Sequence, residues 1–543
     1  MPLTKSSVIL IIFTIITAST LSGCVLDDLV GGTDFSLSSW TITDDNGFPA
    51  LSITYSCTGT VTAEISGPSY STSSSDDSPS LFLKGGGDAN LCLGPYRETI
   101  PAGKYKLTVK DNDKKSIYTK SYTIKGEDVT ILSCEQKWWT KGDVTMLIGL
   151  TMNVKNNGDI PVYPYQVSVA IDSEAYDGLV IPKAILPDES ESISCSIYKK
   201  EGPTDDTIKV TLYDINGNIL TSESYYVDLT SDVSTRSFSK GLDNTLYVPY
   251  PDFLYDYYHN LERVEHEDYS YYIFDQYDDV FMDLFVDRLI STLPFGEYNF
   301  NSKSDVEKVD FINSFTQNLD YILDSEFDKE IEYPNYPVET LFNTRCGGDC
   351  EDKAILTACL LQEIGFKSAL FRLPNHMATG VELGESDVSY DFYYGNYYFI
   401  ETTTTNNPIG YVSKEEYKNN AELTVYEIIS RPLLVHGWDG GNLVIYSNTE
   451  LGDFVKVTTI IENAGLTTAT NFKVKGVFTT DYGLVQRTEE STVDSLEPGK
   501  KTKVTLKINI PKTLKTWFKT DIELDGEVVD TRQSKSYFDP EDL

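Results

Sequence analysis

Gly348-Asp349-Cys350-Glu351-Asp352-Lys353-Ala354-Ile355-Leu356 is the stretch from which the rest of the chain is best read, because a glycine-containing loop runs here straight into a helix. Ala354, Ile355, Ala358, Leu361 and Ile364 form an apolar face at helical spacing. Asp349 is placed to cap the first turn, Asp352 follows three residues on, and Gly365 supplies the stop. Cys350 therefore falls in the first turn, where free backbone N–H groups favour the thiolate, the species that attacks carbonyl carbon. Asp349, Glu351 and Asp352 oppose that effect, since nearby negative charge raises a thiol pKa. A thiolate at Cys350 thus needs a cationic partner such as imidazolium.

The chain has four histidines. In Leu373-Pro374-Asn375-His376-Met377-Ala378-Thr379-Gly380-Val381, His376 opens an expected strand after a Pro-Asn turn, 26 residues beyond Cys350. A second hairpin is expected at Tyr390 to Tyr394, a Gly395-Asn396 turn, and Tyr397-Tyr398-Phe399-Ile400-Glu401-Thr402-Thr403. Glu401 ends a strongly apolar strand, where it can accept a hydrogen bond from His376 and fix the ring's tautomer. Upstream, Val309, Ile312, Phe315, Leu319 and Ile322 recur near helical spacing. Gln317 on that helix is either a helper of the Cys350 backbone N–H in stabilising an oxyanion or a solvated surface amide.

The order GDCEDKAIL, LPNHMATGV, YYFIETT resembles the transglutaminase-like superfamily, especially its prokaryotic cysteine-peptidase-like members, over residues 231–430. The resemblance implies a papain-like α+β catalytic domain with Cys350 as nucleophile, His376 as general base and acid, and Glu401 as orienting acid where many members carry Asp. It implies a protein or peptide substrate, and the chemistry needs no cofactor and no metal. A structural disulfide between Cys346 and Cys350 is the alternative use of that thiol. Zinc ligation by Cys346, Cys350 and His376 lacks a C-x2-C pair and a fourth ligand. Cys359 points to the opposite side of the helix and reads as a packing residue. His259, His266 and His436 read as solvated or locally packed, and the run Tyr255-Asp256-Tyr257-Tyr258 as packing at a domain edge.

Outward from this region the pattern is β. Residues 33–126 read as short alternating strands, for instance Lys104 to Val109, and as a small β-sandwich. Residues 127–230 show strand Leu150 to Lys155, turn Asn156-Asn157-Gly158, strand Tyr165 to Ile171 and Leu186-Pro187-Asp188. Residues 431–543 repeat the layout with Val455 to Glu462, Asn463-Ala464-Gly465, Asn471 to Phe478 and Leu496-Glu497-Pro498-Gly499. The spacings are similar, 28 residues from Gly158 to Leu186 and 31 from Gly465 to Leu496. This layout resembles the immunoglobulin-like cell-adhesion-related modules of microbial surface proteins. Cys57 and Cys92 fall in one β unit and are an expected internal bridge; Cys134 and Cys195, in the next, are a further candidate pair.

At the amino terminus Lys5, an apolar run from Val8 to Ile16 and Leu21-Ser22-Gly23-Cys24 read as a lipoprotein signal peptide over 1–23, followed by a linker over 24–32. Lipid on Cys24 would hold the protein at the membrane on the extracytoplasmic, cell-surface side. A formal net charge of −39 argues against nucleic acid and anionic headgroups as partners of the bulk surface. With 12% aromatic residues and 37 Tyr, the chain has the β-favouring composition of a folded protein. The expected fold class is therefore multidomain: an α+β papain-like, transglutaminase-like catalytic domain flanked by all-β immunoglobulin-like sandwiches. The expected function is cysteine acyl transfer on peptide or glutamine-type amides, hydrolysis favoured over transamidation. The alternative is a catalytically silent surface adhesion or peptide-binding protein.

Overall fold

The computed structural model describes residues 33–538, except 69–79, 231–232, 262, 264–267, 328–332, 385–387, 413–416, 418–422, 440–443 and 447–453. The expected signal peptide and linker, Cys24 and His266 lie outside the described residues.

Strands dominate, with 49% of the described residues in strands and 15% in helices. This corrects the expected fold class: a clear α+β catalytic domain is not what the chain forms. Among the described residues six α-helices, all between Asp252 and Glu363, sit among 29 strands arranged in small, almost wholly antiparallel sheets. The reason is visible in one core. Strands Val129–Lys141 and Val144–Asn156 bury Trp138 and Leu147 on the face turned to their own sandwich. Their other face sends Trp139, Met146 and Ile148 into the core that also holds Phe285, Leu341, Leu356 and Val435. Adjacent apolar residues such as Trp138 and Trp139 thus mark a strand buried on both faces, so the helices share their interior with flanking sheet.

The two layouts with Asn-x-Gly turns close in the same way. Asn156 Nδ2 donates to the Ile160 and Ile185 carbonyls at 2.7 and 2.9 Å, and its Oδ1 accepts from Gly158 N at 2.9 Å. Asn463 Nδ2 donates to the Thr467 and Leu496 carbonyls at 2.8 and 2.9 Å, and its Oδ1 accepts from Gly465 N at 3.1 Å. Both side chains are fully buried, and both tie a turn to the next strand's end.

The expected Cys57–Cys92 and Cys134–Cys195 disulfides are not formed among the described residues. Cys57 and Cys92 lie far apart because Cys92 pairs with Ala50, seven residues along the strand Phe48–Ser66 from Cys57. That is about 23 Å at strand rise, well past the reach of an S–S bond. Cys134 and Cys195 pair with Met152 and Leu150 from opposite sides of the strand Val144–Asn156, two strand spacings across and two residues along, roughly 12 Å apart. Both thiols pack into the sandwich core.

The first and last β units touch. Lys503 Nζ meets Asp45 Oδ2 at 2.6 Å and Asp439 Oδ2 at 3.0 Å, and Lys500 Nζ meets Glu98 Oε1 at 3.2 Å.

Candidate active site

Helix Cys350–Glu363 begins where expected. The Asp349 N–H donates to Asp352 Oδ2 at 3.3 Å, and the Asp352 carboxylate is held by Asn335 through its N–H at 2.7 Å and Nδ2 at 2.6 Å. Gly348 leaves room for that carboxylate, since a Cβ there would lie 2.2 Å from Asp352 Oδ2. The helix is buried nearly all round, Cys359 included. Thr379 Oγ1 donates to the Ala354 carbonyl at 3.0 Å and pins it to strand His376–Glu382.

Cys350 is partly exposed at the head of this helix. Its thiol donates to Glu351 Oε2 at 3.2 Å. Burial, then the charge of Glu351 and this hydrogen bond, then Asp349, push the thiol well above its ordinary value; the backbone N–H of Met377 works the other way. The sulfur therefore lies beside the residue that follows His376. Among the described residues its side-chain hydrogen bond goes to Glu351 and not to the imidazole.

His376 stands directly after a tight turn in which Asn375 takes a φ of 54° and Leu373 pairs with His376. Strand His376–Glu382 pairs in turn with strand Tyr397–Ile400, which delivers Glu401 alongside. His376 Nε2 lies 3.1 Å from Glu401 Oε2, leaving Nδ1 as the nitrogen for a thiol or leaving group. The other oxygen, Oε1, accepts from Thr403 N at 3.0 Å and Thr403 Oγ1 at 2.6 Å. Burial pushes the Glu401 pKa up, but the imidazole's hydrogen bond and charge and the Thr403 donors outweigh it and lower it from 4.5 to about 2. The imidazole lies flat against Tyr417, with centroids 5.3 Å apart and planes 10° from parallel.

Gln317 is placed close by but is differently employed. Its Nε2 donates to the carbonyls of Glu401 at 2.8 Å and Asn407 at 3.0 Å. Both amide protons are thus committed to backbone, which corrects the oxyanion reading: the residue holds the loop carrying the acid.

Two neighbours were not singled out from sequence. Lys353, wholly buried, donates to the carbonyls of Gln317 at 3.3 Å and Leu319 at 3.0 Å, capping the end of helix Asp305–Gln317. Burial lowers its pKa from 10.5 to about 8 against the pull of Glu401 and Asp320. The one lysine of the helix, directly before its apolar run from Ala354 to Leu356, was the available signal. Tyr321 pairs with Gly348 across a two-residue parallel bridge and is 46% exposed. Burial, then the charges of Cys350, Asp349, Glu351 and Glu401, raise its pKa.

One ligand atom each from Asp349, Cys350 and Glu351 lie within 4.8 Å of one another, a donor set able to hold a cation. The remaining described histidines are packed locally. The His436 ring meets Asp530 Oδ2 and Thr520 Oγ1, each at 2.7 Å, and His259 stacks on Tyr255.

No family model matches the chain, and no curated protein matches it. Among solved structures, red sea bream transglutaminase aligns at 9% identity over 71% of this chain and 79% of that one, with a TM-score of 0.16. A Bacteroides fragilis structure assigned as a β-galactosidase aligns at 13% identity over 31% of this chain and 28% of that one, TM-score 0.15. The YadV chaperone aligns at 12% identity over 36% of this chain and 99% of that one, TM-score 0.12. The transglutaminase is thus a weak structural neighbour, and superpositions this loose carry no argument about activity.

Proposed function

We propose that this protein is a lipid-anchored, extracytoplasmic cysteine acyl-transfer enzyme that acts on peptide or glutamine-type amides. The observation that carries the reading is the His376–Glu401 pair, with the carboxylate fixed on its far side by Thr403 and the Cys350 sulfur next to Met377. Cys350 gives its proton to His376 and adds to the amide carbonyl. The tetrahedral adduct collapses as the C–N bond breaks and the imidazolium protonates the departing amine. A thioester remains, and water, deprotonated by the same imidazole, releases the acid and restores the thiol. An amine in place of water gives transamidation; hydrolysis is the favoured outcome.

A second reading is supported by the thiol's hydrogen bond to Glu351, which holds the sulfur protonated: a silent surface module that binds peptides or adheres. Iodoacetamide labelling across pH, with sites mapped by mass spectrometry in wild type, Cys350→Ala and His376→Ala, separates the two. Labelling of Cys350 that stays fast near pH 6 and slows in His376→Ala supports the enzyme. Labelling that begins only above about pH 8.5, the range of an ordinary thiol, supports the silent module.

A further inference from the structure

We infer that the outer face of the last sheet is a binding site for a neutral saccharide. Strands Ala469–Thr479, Val485–Leu496, Trp517–Leu524 and Glu527–Gln533 form this sheet. Their inner face packs Phe472, Val474, Phe478, Phe518 and Ile522 into the sandwich core. On the outer face the register sets Lys475 opposite Asp521, Val477 opposite Lys519 and Thr479 opposite Trp517, with Thr531 and Gln533 on the neighbouring strand. These residues line a cleft of about 670 Å³, within the usual range for small-ligand sites. The cleft has depth, since Val477 and Asp521 are each only 5% exposed although they face away from the core.

Three properties identify the ligand chemistry. First, the charges are already committed: Lys519 pairs with Asp521, Lys475 pairs with Glu523, and Asp481 accepts from Trp517 Nε1 and the Tyr537 hydroxyl, so neither a phosphate nor a cationic peptide meets an unpaired partner. Second, the polar groups are held in place. Asp521 accepts from Thr531 Oγ1 at 2.7 Å and pairs with Lys519 Nζ at 2.7 Å, while Thr488 and Gln533 at the rim offer groups that both donate and accept. Third, one wall is an indole. Trp517 is fixed by Asp481 Oδ1 at 3.0 Å and by the Tyr537 ring 4.0 Å away, and Tyr482 stands 91% exposed at the adjoining hairpin tip. A sugar ring presents C–H faces to an aromatic wall and hydroxyls that need donors and acceptors together. This site shares no residue with Cys350, His376 or Glu401 and stands apart from the catalytic reading.

Isothermal titration of the full chain with cellotriose, maltotriose, mannotriose and tri-N-acetylchitotriose tests the inference. At least one is expected to bind, at least fivefold more weakly in Gln533→Ala and in Thr488→Ala and at least tenfold more weakly in Trp517→Ala. The first two side chains lie at the surface, so unchanged circular dichroism and unchanged iodoacetamide labelling of Cys350 in those variants report an intact fold. Absence of heat with all four neutral trisaccharides overturns the assignment. So does binding that survives the Thr488→Ala, Gln533→Ala double variant, or tighter binding of trigalacturonic acid than of any neutral probe.

Discussion

The Cys350 thiol and the Glu351 carboxylate are neighbours in sequence and partners in space, with Sγ donating to Oε2 at 3.2 Å in a site where Glu351 is 3% exposed. A buried carboxylate against a thiol disfavours the thiolate twice, by accepting a hydrogen bond from the protonated sulfur and by repelling the charge left when the proton departs. In Glu351→Gln the pH midpoint of iodoacetamide labelling is expected to fall by at least about one unit, so that labelling near neutral pH rises about tenfold. An unchanged midpoint would show that burial, and not this carboxylate, holds the proton on sulfur.

Glu401 makes a different demand on pH. Its folded-state pKa is depressed from 4.5 to about 2, so the stability it contributes is fully present above about 4.5 and is lost as pH falls towards 2. The shift corresponds to about 3 kcal/mol at most. Denaturant unfolding at pH 7 and pH 3 should show a smaller pH-dependent loss in Glu401→Gln than in wild type. Equal losses in the two proteins would mean that the His376 pair does not stabilise the fold.

Lys353 runs the other way. Its folded pKa lies at about 8 and its unfolded value at 10.5, so the unfolded chain binds more protons between those limits and stability rises with pH across that window. Lys353→Met removes the rise and strands the carbonyls of Gln317 and Leu319, at a cost of about 1–3 kcal/mol each. Urea midpoints measured from pH 7.5 to 10.5 test both effects, and a variant with the wild-type slope would rule out Lys353 as its source.

Asn463 is expected to be as sensitive as any core apolar residue. Asn463→Ala loses two donated bonds and two accepted bonds, from Gly465 N and Leu433 N, in a dry setting, which predicts destabilisation of about 2–4 kcal/mol. Asn463→Asp keeps the acceptor but not the donors and should fare no better. Thermal melts settle the matter, with a loss under about 1 kcal/mol contradicting the structural role.

What was legible in the sequence was local. The helix at Cys350 is marked by Asp349, Asp352 and Gly365, all within sixteen residues, and the paired Asn-x-Gly turns are self-contained motifs. The meeting of His376 with Glu401 followed from two adjacent hairpins. What was not legible depends on distant backbone. The Gln317 amide is aimed by a carbonyl 84 residues away, and a helical residue carries no sign of that. The cysteine pairings failed because strand register separates Cys57 from Cys92 by most of a strand, and composition does not encode register. The α+β expectation for residues 231–430 failed because the helices there share one core with Trp139, Met146 and Ile148 of the preceding β unit, and no local pattern announces that a strand serves two cores at once.

Lys503 gives the molecule a clasp. By gripping Asp45 from the first β unit and Asp439 from the last, it turns a string of units into a closed loop. Because Lys503, Asp45 and Asp439 are mostly buried, added salt screens these pairs less than it screens exposed ones. Breaking them would part the two ends of the chain at this contact without removing a strand from any sheet.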